Sequence, residues 1–235
     1  MNDDNVTNDV GRCIPKYIEE FGYTTPYRGN HRELDVVTKK INKNFRYVKT
    51  ENKVLSDIRK AIQKCNLKDG MTISFHHHLR NGDYIINMVM KAIAEMGIKN
   101  ITIAPSSLQK IHEPLIEYIK NGVVSGIRTS GMRGALAKEI SYNNILKKPV
   151  IFQTHGGRAR SIESGEIKID VAFVGAPACD KMGNMSGRTG KSAFGSMGYA
   201  MADSERADKV VAITDNLVEY PLRDPSIDQT FVDYV

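Results

Sequence analysis

Short apolar runs alternate with amphipathic stretches from about residue 53 onward, and the period switches between them. Residues 71–75, "MTISF", are apolar with a β-branched centre and predict a buried strand. Across residues 83–96, Ile85, Val89, Ala92 and Met96 fall on a helical period. Asp83 stands where a helix cap belongs, and Gly97 where a helix C-terminus favours a left-handed residue. A helix over about 53–67 precedes this pair. After it, "NITIAPS" predicts a second strand and "QKIHEPLIEYIKNG" a helix with Pro114 in its first turns. "VVSGIRTS" predicts a third strand, with a short helix near 133–141. "KPVIFQTHGG" predicts a fourth, followed by a helix in "RARSIESGE". "KIDVAFVGAP" and "ADKVVAITDN" complete the strands. Such alternation implies crossover connections and an α/β fold, a mainly parallel open sheet with flanking helices.

Residues 1–50 lack this rhythm. "GYTTPYRGNHREL" carries Gly, Pro and aromatic punctuation, so an N-terminal extension packed on a core domain of residues 51–235 is expected. The closing "QTFVDYV" begins a β-like run, which fits a terminal strand or a chain cut before a further domain.

Composition narrows the picture. With 235 residues, 41% hydrophobic and 7% aromatic, the chain can bury a full core. No apolar run approaches the ~20 residues of a membrane helix, and the polar, acidic start has no signal pattern. Cys13, Cys65 and Cys179 are odd in number and scattered, so neither a disulfide framework nor a CxxC site is indicated, and a reducing cytoplasm is expected. The net charge of +6 fits either a Lys-rich solvated surface or attraction of an anionic partner. No nucleic-acid motif accompanies it.

Three stretches carry candidate chemistry. His76, His77 and His78 sit where a strand hands over to a helix, and open parallel sheets bind ligands beyond the carboxyl ends of their strands. On a straight strand His77 faces away from His76 and His78, and no HExxH spacing is present, which argues against a metal. A polar loop with satisfied histidines remains open. So does an anion or acyl-transfer site that adds Arg80, Asn81, Gly82 and the N–H groups of the following helix. His155, Gly156, Gly157 and Arg158 follow another strand. The glycines would permit close backbone approach and Arg158 could grip a carboxylate with both nitrogens, or the stretch is an ordinary Gly-rich turn. The third stretch, "GAPACDKMGNMSGRTGKSAFGSMGYA", tempts a P-loop reading, but Met185 occupies the place of the first glycine. A Gly-rich active-site loop with turns fixed by Asp180 and Asn184 fits better, beside the alternative of a flexible surface loop. Cys179 reads as an inert small residue.

Together, "DGMTISFHHHLRNGDYIINMVM", "THGGRARSIESGEIKIDVAF", "APACDKMGNMSG", "GSMGYA" and "ADKVV" resemble the α subunit of citrate lyase, the citrate CoA-transferase component. "DVAFVGAPACDKMGN" also resembles a segment shared across the CoA-transferase superfamily. The family subunit is similar to two CoA-transferase domains in tandem, and this chain resembles the first. The resemblance implies an enzyme that exchanges acetate for citrate on an acyl-carrier-protein thioester, giving the citryl carrier that a lyase subunit cleaves. It implies citrate binding by His76, His77, His78, Arg80, Asn81, Gly82, His155, Gly156, Gly157 and Arg158. The carrier's CoA-like thioester would then lie along Asp180, Gly183, Asn184, Gly187 and Gly195. No cofactor or metal of the chain's own is expected, only the CoA-like prosthetic group of the carrier, within an oligomeric complex. No catalytic residue is assigned, because the nucleophile of relatives belongs to the other half. The alternative is a non-catalytic docking module for the acyl carrier protein and lyase subunit. On the substrate reading, Arg158→Ala is expected to weaken citrate use while leaving the fold intact.

Overall fold

The structure is a computed structural model that describes residues 4–9, 11–26, 52–76 and 83–235. Contacts divide the chain into two units, Met1–Thr38 and Lys39–Val235. The described part of the first unit holds two antiparallel hairpins. In one, β1 (Asn5–Thr7) pairs with β2 (Cys13–Pro15); in the other, β3 (Tyr17–Ile18) pairs with β4 (Gly22–Tyr23). Tyr17 and Tyr23 meet edge to face across the second hairpin. Regular pairing is thus present where the sequence suggested only an irregular extension.

In the second unit, residues 53–55 are extended rather than helical. The Lys53 N–H donates to Lys181 O and the Leu55 N–H to Val235 O. Helix α1 (Ile58–Lys64) therefore starts late, where the Asp57 carboxylate accepts the Lys60 N–H. Strand β5 (Thr72–His76) follows, then α2 (Ile85–Glu95), whose N-cap is Tyr84, one residue past the expected Asp83; the Asp83 carboxylate still accepts the Ile85 N–H. At its far end Gly97 adopts φ +75°, and the Ile98 N–H reaches back to Ile93 O. After β6 (Ile101–Pro105) the expected single helix is divided. A 3-10 turn at Lys110–His112 precedes α3 (Leu115–Lys120), because Pro114 can begin a helix but cannot sit inside one. Next come β7 (Val124–Thr129), α4 (Gly134–Asn143), the two-residue β8 (Ile151–Phe152), α5 (His155–Glu163) and β9 (Val171–Gly175). The remaining elements are β10 (Ala178–Asp180), β11 (Met185–Ser186), α6 (Ala200–Arg206), β12 (Lys209–Ile213) and β13 (Leu217–Val218).

Among the described residues, six strands form one parallel sheet in the order β12-β9-β5-β6-β7-β8. From β5 the chain proceeds to β6 on one side, and it returns later to place β9 on the other. The boundary between β5 and β9 is therefore the switch point of the sheet, where such folds open a crevice for ligands. A smaller sheet, β11-β10-β13, lies beyond β9 in the chain.

Alternation along the strands gives the two faces of the large sheet different characters. Ile73, Phe75, Ile101, Ile103, Val171, Phe173 and Val211 share one core with buried side chains of α1, α2, α3 and α4. Phe75 and Phe173 stack there at 5.6 Å, both fully buried. The opposite core is built from smaller strand residues, Ala104, Ala172, Val174, Val210 and Ala212, against α5 and α6. Ser74 and His76 alternate with Ile73 and Phe75 along β5 and so belong to this second face.

The chain's last residues close onto the edge of the sheet. Tyr234 bridges to Val211, and the Val235 N–H donates to Lys53 O. The Lys53 ammonium, 3% exposed, donates to the carbonyls of Gln229 and Val232, both at 2.6 Å. This answers the β-like pattern of "QTFVDYV", although residues Gln229–Phe231 form a 3-10 turn.

Because Phe173 fills the centre of the larger core, Phe173→Ala should lower unfolding stability by about 3–5 kcal/mol. Urea denaturation measures it, and a loss under about 1 kcal/mol would mean the core closes around the gap.

Candidate active site at the carboxyl ends of the strands

His76 ends β5 at the switch point and is 3% exposed. His77, His78, Arg80, Asn81 and Gly82 lie outside the described residues. Around His76 the structure gathers side chains from three further places: Arg158 and His155 from α5, Tyr199 just ahead of α6, and Asp203 within α6.

The anchor is an ion pair. Arg158 donates from Nη1 to Asp203 Oδ2 at 2.8 Å and from Nη2 to Asp203 Oδ1 at 2.7 Å, with Nη2 also reaching Ala104 O at 2.8 Å. The two side chains are 2% and 0% exposed. Burial by itself would push the Asp203 carboxyl up, but the charge and hydrogen bonds of Arg158 outweigh it, helped by the nearby His76 and Ser74, and hold it below its ordinary value. Burial likewise opposes the Arg158 charge, and Asp203 more than restores it. This corrects the sequence reading of Arg158. It does grip a carboxylate with both terminal nitrogens, but the carboxylate belongs to Asp203. With the guanidinium committed inside the protein, Arg158→Ala would damage the fold, contrary to the expectation above.

His155 and Tyr199 stand one helical turn before Arg158 and Asp203 respectively. Their rings meet edge to face at 5.4 Å, and the Tyr199 ring meets His76 in the same manner at 4.5 Å. Burial pushes the pKa of the Tyr199 phenol up against the opposing influence of Arg158 and of Ser106, just beyond β6, so the phenol keeps its proton. The ion pair thus forms a lower tier between the helices, with a ring cluster above it at the strand ends.

Helix α5 starts at His155, earlier than the sequence suggested, because Thr154 caps it by accepting the Gly157 N–H at 3.0 Å. A Cβ on Gly157 would lie 2.8 Å from that threonine oxygen, so the bare glycine serves the cap. Nothing crowds a Cβ at Gly156. Both glycines, expected at a turn ahead of the helix, belong to its first turn.

Residues Asp180, Gly183 and Asn184 come together as a turn. Asp180 Oδ1 accepts the N–H groups of Met182 and Asn184, and Oδ2 accepts Asn184 Nδ2 and the Leu222 N–H. Asn184 Oδ1 takes the Gln229 N–H. Gly183 has φ +95° and packs so closely on Val232 that a Cβ would lie 2.8 Å away. Gly187 and Gly195 meet each other, the Gly187 carbonyl accepting the N–H groups of Phe194 and Gly195. The predicted turn-fixing function of Asp180 and Asn184 is therefore visible, and the loop ends by delivering Tyr199 to the ring cluster. Between "GRTGKS" and α6 lie seven residues with no helix, which is not P-loop geometry. The Cys179 thiol is pushed up to about 12 by burial, as an inert residue should be.

Sequence reasoning missed Tyr199, Asp203, Ser74 and Ser106. Tyr199 lies in "GSMGYA", a stretch that carries the resemblance, and Asp203 lies between it and "ADKVV", in neither. The available signal was spacing: Tyr199 precedes Asp203 by four residues and His155 precedes Arg158 by three, so each pair shares a helix face. Among the described residues, no three His, Cys, Asp or Glu side chains gather as a metal site, and no helix is long and apolar enough to cross a membrane.

This arrangement is that of a CoA-transferase-like fold. An acyl-CoA transferase from Escherichia coli, solved as a thioester complex with CoA, superposes with a TM-score of 0.59 over 78% of this chain and 47% of its own, at 11% identity. A family model for the citrate lyase alpha subunit matches residues 51–235, and the chain belongs to that family. The Haemophilus influenzae citrate lyase alpha chain is 54% identical over 185 residues, covering 79% of this chain and 37% of that relative. A Streptococcus mutans structure, described as the alpha subunit of citrate lyase in complex with citrate, matches at 51% identity and a TM-score of 0.86. The match covers 97% of this chain and 44% of that one. The chain thus spans well under half the length of these relatives.

Removing one partner of the ion pair strands a buried charge. Arg158→Met alone or Asp203→Leu alone should each cost about 3–5 kcal/mol, and the double variant should be more stable than either. Urea titrations of the three chains check this; a double variant no better than the singles would refute the pairing argument. A pH dependence follows from the lowered folded-state pKa of Asp203. Its contribution is complete above the unfolded value, ordinarily 3.8, and is lost as pH falls through the lower folded value. Asp203→Asn should flatten that part of the acid-unfolding curve, and an unchanged slope would count against it.

Proposed function

We propose that this chain is the N-terminal domain of a citrate CoA-transferase. Citrate and an acetyl thioester on an acyl carrier protein give the citryl thioester and free acetate; the carrier keeps its sulfur, which belongs to a CoA-like prosthetic group. The citryl carrier is then cleaved by a lyase subunit. The observation that carries this reading is the Streptococcus mutans relative, described as a complex with citrate and matching nearly the whole chain at 51% identity.

Chemistry supports it. Citrate is largely a trianion near neutral pH, so its site needs hydrogen-bond donors rather than carboxylates. The carboxylate beneath the ring cluster, Asp203, is neutralised by Arg158. His155 stands exposed at the start of α5, and the first amides of that helix lie at the positive end of its dipole. Attack of a carboxylate on a thioester passes through an oxyanion, which backbone N–H groups of this kind stabilise. On this reading His77, His78, Arg80, Asn81 and Gly82 complete the citrate site, and Asp180, Gly183, Asn184, Gly187 and Gly195 shape the loop along which the carrier's thioester approaches. The expected setting is an oligomeric cytoplasmic complex with the carrier and lyase proteins.

The direct test is citrate-dependent release of acetate from acetyl carrier protein, by this chain alone and with the C-terminal half of a relative supplied. Turnover is expected only with both halves. Tight carrier binding without citrate-dependent acetate release would replace this reading with a docking module.

A further inference from the structure

The ring cluster holds a group that the family reading left without a task. We propose that Tyr199 is a substrate-binding residue of this site, its hydroxyl donating a hydrogen bond to a carboxylate of the bound tricarboxylate; this rests on the citrate reading above.

Placement is the first argument. Beneath it, Arg158 and Asp203 are sealed at 2% and 0% exposure, and His76 at 3%. Above it, His155 is exposed. Tyr199 is half-buried between them and touches both histidine rings, 4.5 Å from His76 and 5.4 Å from His155. It therefore bridges the closed network and the open surface at the switch point.

Rigidity is the second. Asp203, one turn further along, is bound by two hydrogen bonds from Arg158, so the start of α6 cannot drift from α5. Ser106, the residue beside the phenol, is itself fixed: its N–H donates to Phe75 O, and its carbonyl accepts the Ser130 N–H and hydroxyl. A donor held in this way loses little freedom when ligand arrives.

Charge is the third. The phenol stays protonated at neutral pH, so it presents an O–H and adds no negative charge to a site for a polyanion. Replacement by phenylalanine would keep both ring contacts and remove only that donor, which separates binding from packing.

The experiment is calorimetric titration of citrate into wild type, Tyr199→Phe and Tyr199→Leu, each with the C-terminal half supplied and with melting temperatures compared. Tyr199→Phe should melt like wild type and bind citrate roughly ten- to hundredfold more weakly, the usual loss of a hydrogen bond to a charged group. Tyr199→Leu should bind no better than Tyr199→Phe. Wild-type binding matched by Tyr199→Phe would overturn this assignment alone and leave the tyrosine as packing for the histidines. Wild type that binds no citrate would overturn the citrate reading, and the assignment with it. Should Tyr199→Phe fail to fold, Tyr199→Leu decides: weaker citrate binding by at least several-fold supports the assignment, and unchanged binding overturns it.

Discussion

The buried contact between Arg158 and Asp203 is the constraint on which the second face of the sheet depends. An unpaired charge at that depth would cost several kcal/mol, so neither helix can take a register that separates the two groups. Hydrophobic packing alone tolerates sliding. A two-pronged guanidinium–carboxylate contact does not, because both hydrogen bonds have fixed directions. The third bond, from Arg158 to the Ala104 carbonyl, ties the pair to β6. Small strand residues make room for it: Ala104 and Ala172 stand on this face, where the opposite face has Ile103 and Phe173.

That difference between the faces explains why the ring cluster forms where it does. The large aliphatic face is filled by α1–α4. The other face trades volume for a polar interior and opens at the end of β5, beside the switch point. Because Tyr199 and His155 lie one turn from the paired residues, the helix register fixed below determines the ring contacts above. Stability and site geometry thus share one interaction, and a change at Asp203 reaches the surface without any residue in between needing to move independently.

Much of this was legible in the sequence. The strands from 71–75 onward, the Asp83 carboxylate at the head of α2 and the Gly97 terminus all followed from local pattern, since their physics is contained within a few residues. What was not legible involved partners distant in the chain. Arg158 finds Asp203 45 positions away, and no periodicity announces such a pairing; the guanidinium looked available because its partner was invisible. Residues 53–55 read as helix because their hydrogen-bond acceptors, Lys181 and Val235, lie at the other end of the domain. Pro114 was noticed but not given its full effect, which was to divide a helix. At Gly157 the local signal existed, in the Thr154 cap, and was read as space for a ligand.

The ties around Lys53 have a topological consequence. Its backbone bonds to Val235, and its ammonium caps carbonyls at Gln229 and Val232, so residues 53 and 235 lie side by side. In connectivity residues 53–235 are close to a closed ring. A short link from 235 back to 52 would let the chain be opened at an exposed loop elsewhere with every strand keeping its neighbours. The order in which this domain is threaded is therefore separable from the arrangement that it reaches.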